Sequence, residues 1–260
     1  MYALFVAFVL LLLPFEKSGS ILQAYVCPPE VTDYEWVTVQ PYLLPKSHYL
    51  KQKLDSIFRS ARVTESHETL TKAGFYKNRR GNWSQVTVTK HPHLLGCLLK
   101  LYTDDIAGNA LQMCLKRIEG VESINQCIEL HGYHKYFRVP RKWIYPLPAE
   151  PRPSSGVTQH HFILVVEDMY IVNRAENEQR WRKSMTKERL NAIFVVLQEC
   201  GLNDSIWPFN LPFTHDGLNS FIDTEHHHSW PVHFTLLMPY LSSKMQEHWQ
   251  ALINNGGPLK

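Results

Sequence analysis

The chain has 260 residues, 44% of them apolar and 20% charged, and a formal net charge of +3. That length suits one large domain or two small lobes with a sizeable core, and the composition is that of an ordinary globular protein. No long basic run of the kind that tracks nucleic acid is present: Arg79-Arg80 and Arg180-Trp181-Arg182-Lys183 are short and read as solvated faces, so no nucleic-acid partner is expected.

In chain order, Tyr2 to Pro14 is an apolar run with the length of a signal-peptide core, too short to span a bilayer comfortably. Leu22-Gln23-Ala24 offers a small-residue cleavage site, although no lysine or arginine precedes the run. Residues 1–24 are therefore expected to be a signal peptide, the protein to be exported or secreted, and no stable transmembrane span to exist. Residues 25–45, rich in proline and aromatics, read as an extended arm. Spaced apolar positions over 46–72 (Leu50, Leu54, Ile57, Phe58) predict a helix, so 25–73 forms an N-terminal arm and helix.

Ser84 to Thr89 alternates with β-branched residues and predicts a strand, and Leu94 to Tyr102 predicts a second. That second strand carries one charge, Lys100. Leu111, Leu115, Ile118, Val121, Ile124 and Ile128 recur at spacings of three and four, which predicts a helix over 105–130 bearing Glu119 and Glu122. Phe137 to Val139 and Lys142 to Tyr145 read as short extended segments, and Pro146 to Gln159 as a loop. His161 to Val166 is a strand ended by Glu167-Asp168-Met169. After a linking segment, Thr186 to Cys200 is a helix that Gly201 stops. Asp216-Gly217 marks the turn of a hairpin, Asp223-Thr224-Glu225 follows it, and a last helix reaches Ala251. Strands come first and helices later, an α+β, two-lobed layout.

The five cysteines contain no C-x-x-C pair, so no structural zinc site built from cysteine is expected. Cys97, Cys114 and Cys200 read as buried free thiols. His226-His227-His228 cannot converge on one ion from a regular strand.

A phosphoryl-transfer site needs a lysine for phosphates, a helix glutamate to hold it, oxygen ligands for Mg²⁺ and an acid to orient the attacking hydroxyl. Residues 94–225 present these parts in order, and here the chain distantly resembles the protein-kinase-like fold. Leu98-Leu99-Lys100-Leu101 looks like the strand with the phosphate-binding lysine. The resemblance implies that Glu119, or Glu122 one turn on, orients Lys100. It implies that Glu167 to Met169, at a hinge between lobes, present backbone groups to an adenine. Asn203 to Asn210 resembles a catalytic loop, with Pro208 two residues before the asparagine. Asp204 is then the implied catalytic base, and Asn210 and Asp223 are the implied Mg²⁺ ligands. The departures are plain: Leu202-Asn203 replaces His-Arg, Asp204 to Asn210 is one residue longer than the motif, and Asp223-Thr224-Glu225 replaces Asp-Phe-Gly. No G-x-G-x-x-G precedes Lys100, and Lys77 to Gly81 is the nearest substitute for a phosphate-covering loop.

The implied layout is a kinase-like N-lobe and hinge over 74–172, with an antiparallel sheet, and a short helical C-lobe over 173–260. The implied function is binding of Mg²⁺-ATP and transfer of phosphate to a protein or small-molecule hydroxyl. Two alternatives stand beside it: a pseudokinase kept as a secreted binding module, and an unrelated secreted α+β interaction protein.

Overall fold

The computed structural model describes residues 25–80, 85–154 and 156–258. The expected signal peptide lies outside them, as does the connection at 81–84. The chain is α+β. Its first described elements are helical: α1 (Asp33–Val39), a 3₁₀ turn (Gln40–Tyr42), α2 (Tyr49–Ser60) and α3 (His67–Lys72). The expected extended arm at 25–45 is thus corrected. Thr32 and Glu35 form a capping box: the Thr32 hydroxyl accepts from Glu35 N–H while the Glu35 carboxylate accepts from Thr32 N–H. That reciprocal pairing satisfies the free donors at the start of a helix and overrides the proline-rich texture around it. The single helix expected over 46–72 is two, because Ser66 caps a second start.

Strands β1 (Tyr76–Arg80), β2 (Thr87–Lys90) and β3 (Cys97–Leu101) come next. The expected phosphate-covering loop over Lys77–Arg80 is instead strand, paired antiparallel with β2. Helix α4 (Ala110–His131) starts where the Asn109 side chain accepts from Gln112 N–H at 2.9 Å and stops at Gly132, which is left-handed at φ 66°. After β4 (Phe137–Arg138) come β5 (Lys142–Pro146) and β6 (Phe162–Glu167). The sheet order is β1-β2-β3-β6-β5, with every neighbouring pair antiparallel.

Both faces of this sheet are covered, so β6 reads as a continuous apolar run rather than an alternating one. Leu99, Leu101, Tyr145, Ile163 and Val165 face α2 and α3. Ile144, Phe162, Leu164 and Val166 face α1 and the first half of α4. Side chains alternate along a strand. Lys100 therefore lies on the α4 face, between Leu99 and Leu101, and Lys142 shares that face with Ile144.

The linking segment expected after β6 contains a helix, α5 (Arg174–Lys183), capped by Asn173. Helix α6 (Lys187–Cys200) runs from a Thr186 cap to left-handed Gly201. A short bridge at β7 (Asn219–Ser220) pairs with β4, and α7 (Ser243–Asn255) ends the described fold. Leu190, Ile193, Phe194 and Leu197 of α6 form a core apart from the two sheet faces, with Trp181, Phe213, Phe221 and Trp249. Helix α4 joins this core to the sheet: Met113 to Ile118 pack on the sheet, and Ile124 to Ile128 pack on α6. Among the described residues, no helix is long and apolar enough to cross a membrane.

Candidate functional site

Lys100 is buried, and its ammonium crosses from β3 to the segment after β7. Its Nζ donates to the Ile222 carbonyl at 3.1 Å and lies 3.5 Å from Asp223 Oδ1. Residues 123 positions apart in sequence thus meet. Two further cations converge there. Arg117 of α4 is 2% exposed; its Nε lies 3.6 Å from Asp223 Oδ1 and its Nη2 donates to Glu225 Oε2 at 2.5 Å. Lys142 Nζ donates to the Thr224 hydroxyl at 2.6 Å and to the Arg117 carbonyl at 3.3 Å. The Thr224 hydroxyl in turn donates to that same carbonyl at 2.6 Å.

Three buried cations therefore face two half-buried carboxylates. Burial raises the proton affinity of Asp223, but Lys100, Arg117 and Lys142 outweigh it, and the carboxyl sits below its usual range. Burial pulls Lys100 below the ordinary lysine value, and Asp223 only partly restores it. Lys142 falls furthest, through burial and then through repulsion from Lys100.

The depressed Lys142 makes stability depend on pH. An unfolded Lys142 keeps its proton up to about its ordinary value of 10.5, and the folded one gives it up well below that. Between those two points the unfolded chain binds more protons, so stability rises with pH; below the folded value the penalty is fully present. Lys142→Met should therefore stabilise the protein at neutral pH by about 1–2 kcal/mol, because a buried charge whose two hydrogen bonds and nearby carboxylates only partly offset its burial is exchanged for an apolar side chain of similar length. That advantage should shrink as pH rises through the alkaline range toward the ordinary lysine value of 10.5. Melting curves of both proteins across that range test it; an advantage that grows with pH contradicts it.

The other expected residues are placed as follows. Glu119 is half exposed, with Oε2 3.8 Å from His227 Nε2, and among the described residues no ion pair joins it to Lys100. Glu122 is exposed too, and both acids raise the proton affinity of the Tyr42 phenol after burial has done so. The helix residue that meets the cluster is Arg117 instead. The Asp204 carboxylate lies 3.2 Å from His226 Nε2, in the open. Asn210 turns its amide to the Asp204 carbonyl, donating at 2.9 Å, and its own carbonyl accepts from Ile222 N–H at 3.1 Å. Ser205 donates its hydroxyl to the Asp223 carbonyl at 2.8 Å. Asp204, Ser205, Asn210 and Asp223 thus share one knot of loop, joined through backbone. The expected turn at Asp216-Gly217 is present, with Gly217 at φ 85° and Thr214 N–H donating to the Leu218 carbonyl at 2.8 Å.

At the end of β6, Glu167 N–H donates to the Arg141 carbonyl at 2.9 Å, and the Glu167 carboxylate lies 3.1 Å from Arg141 Nε. Asp168 is ion-paired with Lys90. Met169 is buried, and its backbone N–H and C=O bond no other described residue. An Ile171–Thr214 bridge then ties this segment to the hairpin.

Sequence reasoning passed over Arg117, Lys142 and Gly120. Two signals mark them. Arg117 falls in the buried stripe Met113, Arg117, Gly120, Ile124, where a charge is out of place. Gly120 lies inside a long helix, where glycine is unfavourable and points to a close approach. A Cβ at position 120 would stand 2.0 Å from the Thr224 carbonyl oxygen.

No protein-family model matches this chain, and neither a curated protein nor a solved structure matches it.

Proposed function

We propose that the protein is a kinase-like nucleotide-binding module, in which Lys100, Arg117 and Lys142 neutralise the phosphates and the segment Glu167–Met169 receives the base. The meeting of Lys100 with Asp223, 3.5 Å apart on the α4 face of the sheet, carries this reading. A lysine on the strand, a helix packed over it, a hinge-like strand beside it and an aspartate arriving after a loop and hairpin are the parts that the kinase resemblance calls for. The unbonded backbone of Met169 suits an adenine edge.

Charge balance favours binding over transfer. Asp223 already neighbours two cations, and Arg117 stands where a glutamate is called for. A cluster with surplus positive charge attracts a polyanion by itself and does not need a divalent ion to do so. Transfer of phosphate to a hydroxyl through Mg²⁺ on Asn210 and Asp223, with Asp204 as base, is the second reading; the knot that joins these three residues favours it.

Thermal unfolding with ATP, in EDTA and in Mg²⁺, separates the two. At 100 times its Kd, a ligand bound only by the folded state adds about 2.7 kcal/mol, a rise of roughly 5–11 °C in Tm for a chain of this size. The binding reading expects that rise in EDTA and its loss in Lys100→Met. A rise seen only with Mg²⁺ and lost in Asp223→Ala supports transfer instead. No rise in either condition at saturating nucleotide overturns both.

A further inference from the structure

Away from the cation cluster, the last turns of α4 and α6 bring together four side chains that bind soft and borderline metals. Cys127 and His131 lie one helical turn apart, so they share a face of α4. Glu199 and Cys200 end α6 opposite them. His131 Nε2 lies 3.0 and 2.9 Å from the two Glu199 oxygens, and Cys127 Sγ lies 3.5 Å from Oε2. The ligand atoms of Cys127, His131 and Glu199 all fall within 4.8 Å of one another. Cys200, next to Glu199 in the chain, lies outside that group, and its thiol donates to the Ser123 carbonyl at 3.6 Å.

We propose that Cys127, His131, Glu199 and Cys200 form a zinc site that clamps the last turn of α4 to the last turn of α6. Tetrahedral zinc holds sulfur at about 2.3 Å and nitrogen or oxygen at about 2.0–2.2 Å, which sets neighbouring ligand atoms about 3.5 Å apart. The Cys127–Glu199 separation of 3.5 Å already matches that figure, and His131 and Glu199, 2.9–3.0 Å apart, must open by about 0.5 Å to admit the ion. Cys200 is the proposed fourth ligand; to serve, its side chain must rotate off the Ser123 carbonyl, which gives up only a weak thiol hydrogen bond. The set is mixed sulfur, nitrogen and oxygen, which suits zinc and excludes magnesium and calcium, both of which take oxygen alone. Binding must release the thiol protons, since thiolate is the ligand. The clamp would act on the helix that also carries Arg117, and it is independent of the nucleotide reading.

The full chain, kept in reductant and stripped with a chelator, is titrated with Zn²⁺ by calorimetry and with Co²⁺ by absorbance. Expected are a single equivalent of metal, a thiolate-to-cobalt charge-transfer band, tetrahedral d–d bands and a Tm raised by Zn²⁺. Affinity should fall by at least about 100-fold in Cys127→Ser and in the half-exposed variants His131→Ala and Glu199→Gln, which leave the core intact. Cys27→Ser, outside the cluster, should bind as wild type does. Absence of uptake overturns the proposal, as does equal uptake by wild type and His131→Ala. A Cys127–Cys200 disulfide that persists in reductant, with no metal bound, also overturns it.

Discussion

Gly120→Ala should cost this protein about 3 kcal/mol and lower its Tm by roughly 6–12 °C, although alanine is the better helix former by about 1 kcal/mol. The reason is a backbone contact. The added methyl meets the Thr224 carbonyl oxygen at 2.0 Å and the Thr224 carbonyl carbon at 3.0 Å, and no side chain can rotate to relieve it. Helix α4 must move away from the Asp223–Glu225 segment. That movement pulls Arg117 off both carboxylates and breaks the hydrogen bonds that Thr224 and Lys142 make to the Arg117 carbonyl. The control is Gly132→Ala at the end of the same helix. No atom lies within 4 Å of a Cβ there, so only left-handed strain of about 1–2 kcal/mol is incurred. Melting curves of both variants decide the matter: a Gly120→Ala protein as stable as wild type would mean that α4 does not press on Thr224. Its nucleotide response should also weaken, whereas that of Gly132→Ala should not.

The second large effect lies in a knot that sequence reading did not single out. Asp104, wholly buried, accepts from Arg62 Nε and Nη2, each at 2.8 Å, from the Thr64 hydroxyl at 3.1 Å and from His160 N–H at 2.9 Å. Arg62 Nη2 also donates to the His160 carbonyl at 2.7 Å. Three separate loops are tied by one carboxylate. Asp104→Ala leaves the Arg62 guanidinium buried and unpaired, and should cost about 3–5 kcal/mol. Urea unfolding measures this directly. Replacing both partners with apolar residues, Arg62→Met with Asp104→Leu, should recover much of the loss, because a buried pair is costly to break and far less costly to remove whole. If the double variant is as unstable as the single one, the loops are held by the geometry of the hydrogen bonds rather than by charge balance.

Sequence patterning reached the elements that are long and periodic. The helices over 105–130 and 186–200 and the strands around Lys100 and Phe162 follow from apolar spacing, and the ends of the second helix follow from Thr186 and Gly201, whereas the stop at Gly132 was seen only in the structure. It missed α1 and α5, whose exposed, polar or proline-flanked sequences carry little periodicity; side-chain caps at Thr32 and Asn173 start both. Within the site, Lys100 and Asp223 were legible one at a time: a lone charge in an apolar strand, and an acid after an apolar run, each need a partner. That they share one site was implied by the resemblance alone; across the 122 residues between them, only the tertiary structure made the direct pair.

By itself, then, the sequence determined that β3 is an apolar strand carrying one charge, Lys100, but not which of the two covered faces of the sheet that charge takes. It also determined that α4 has an apolar face, whereas the burial of Arg117 and Gly120 on that helix came from the structure. Only the tertiary structure decided how α4 is turned against the Asp223–Glu225 segment. Each residue along a helix advances about 100°, so Arg117 and Glu119 point to nearly opposite sides. Close packing of Gly120 on Thr224 sets that rotation, bringing the arginine to the carboxylates and sending the glutamate toward His227. The pairing of Cys127 and His131 with Glu199 and Cys200 has the same origin. Helical spacing aligns Cys127 and His131 on one face of α4, and only the packing of α4 against α6 brings Glu199 to them.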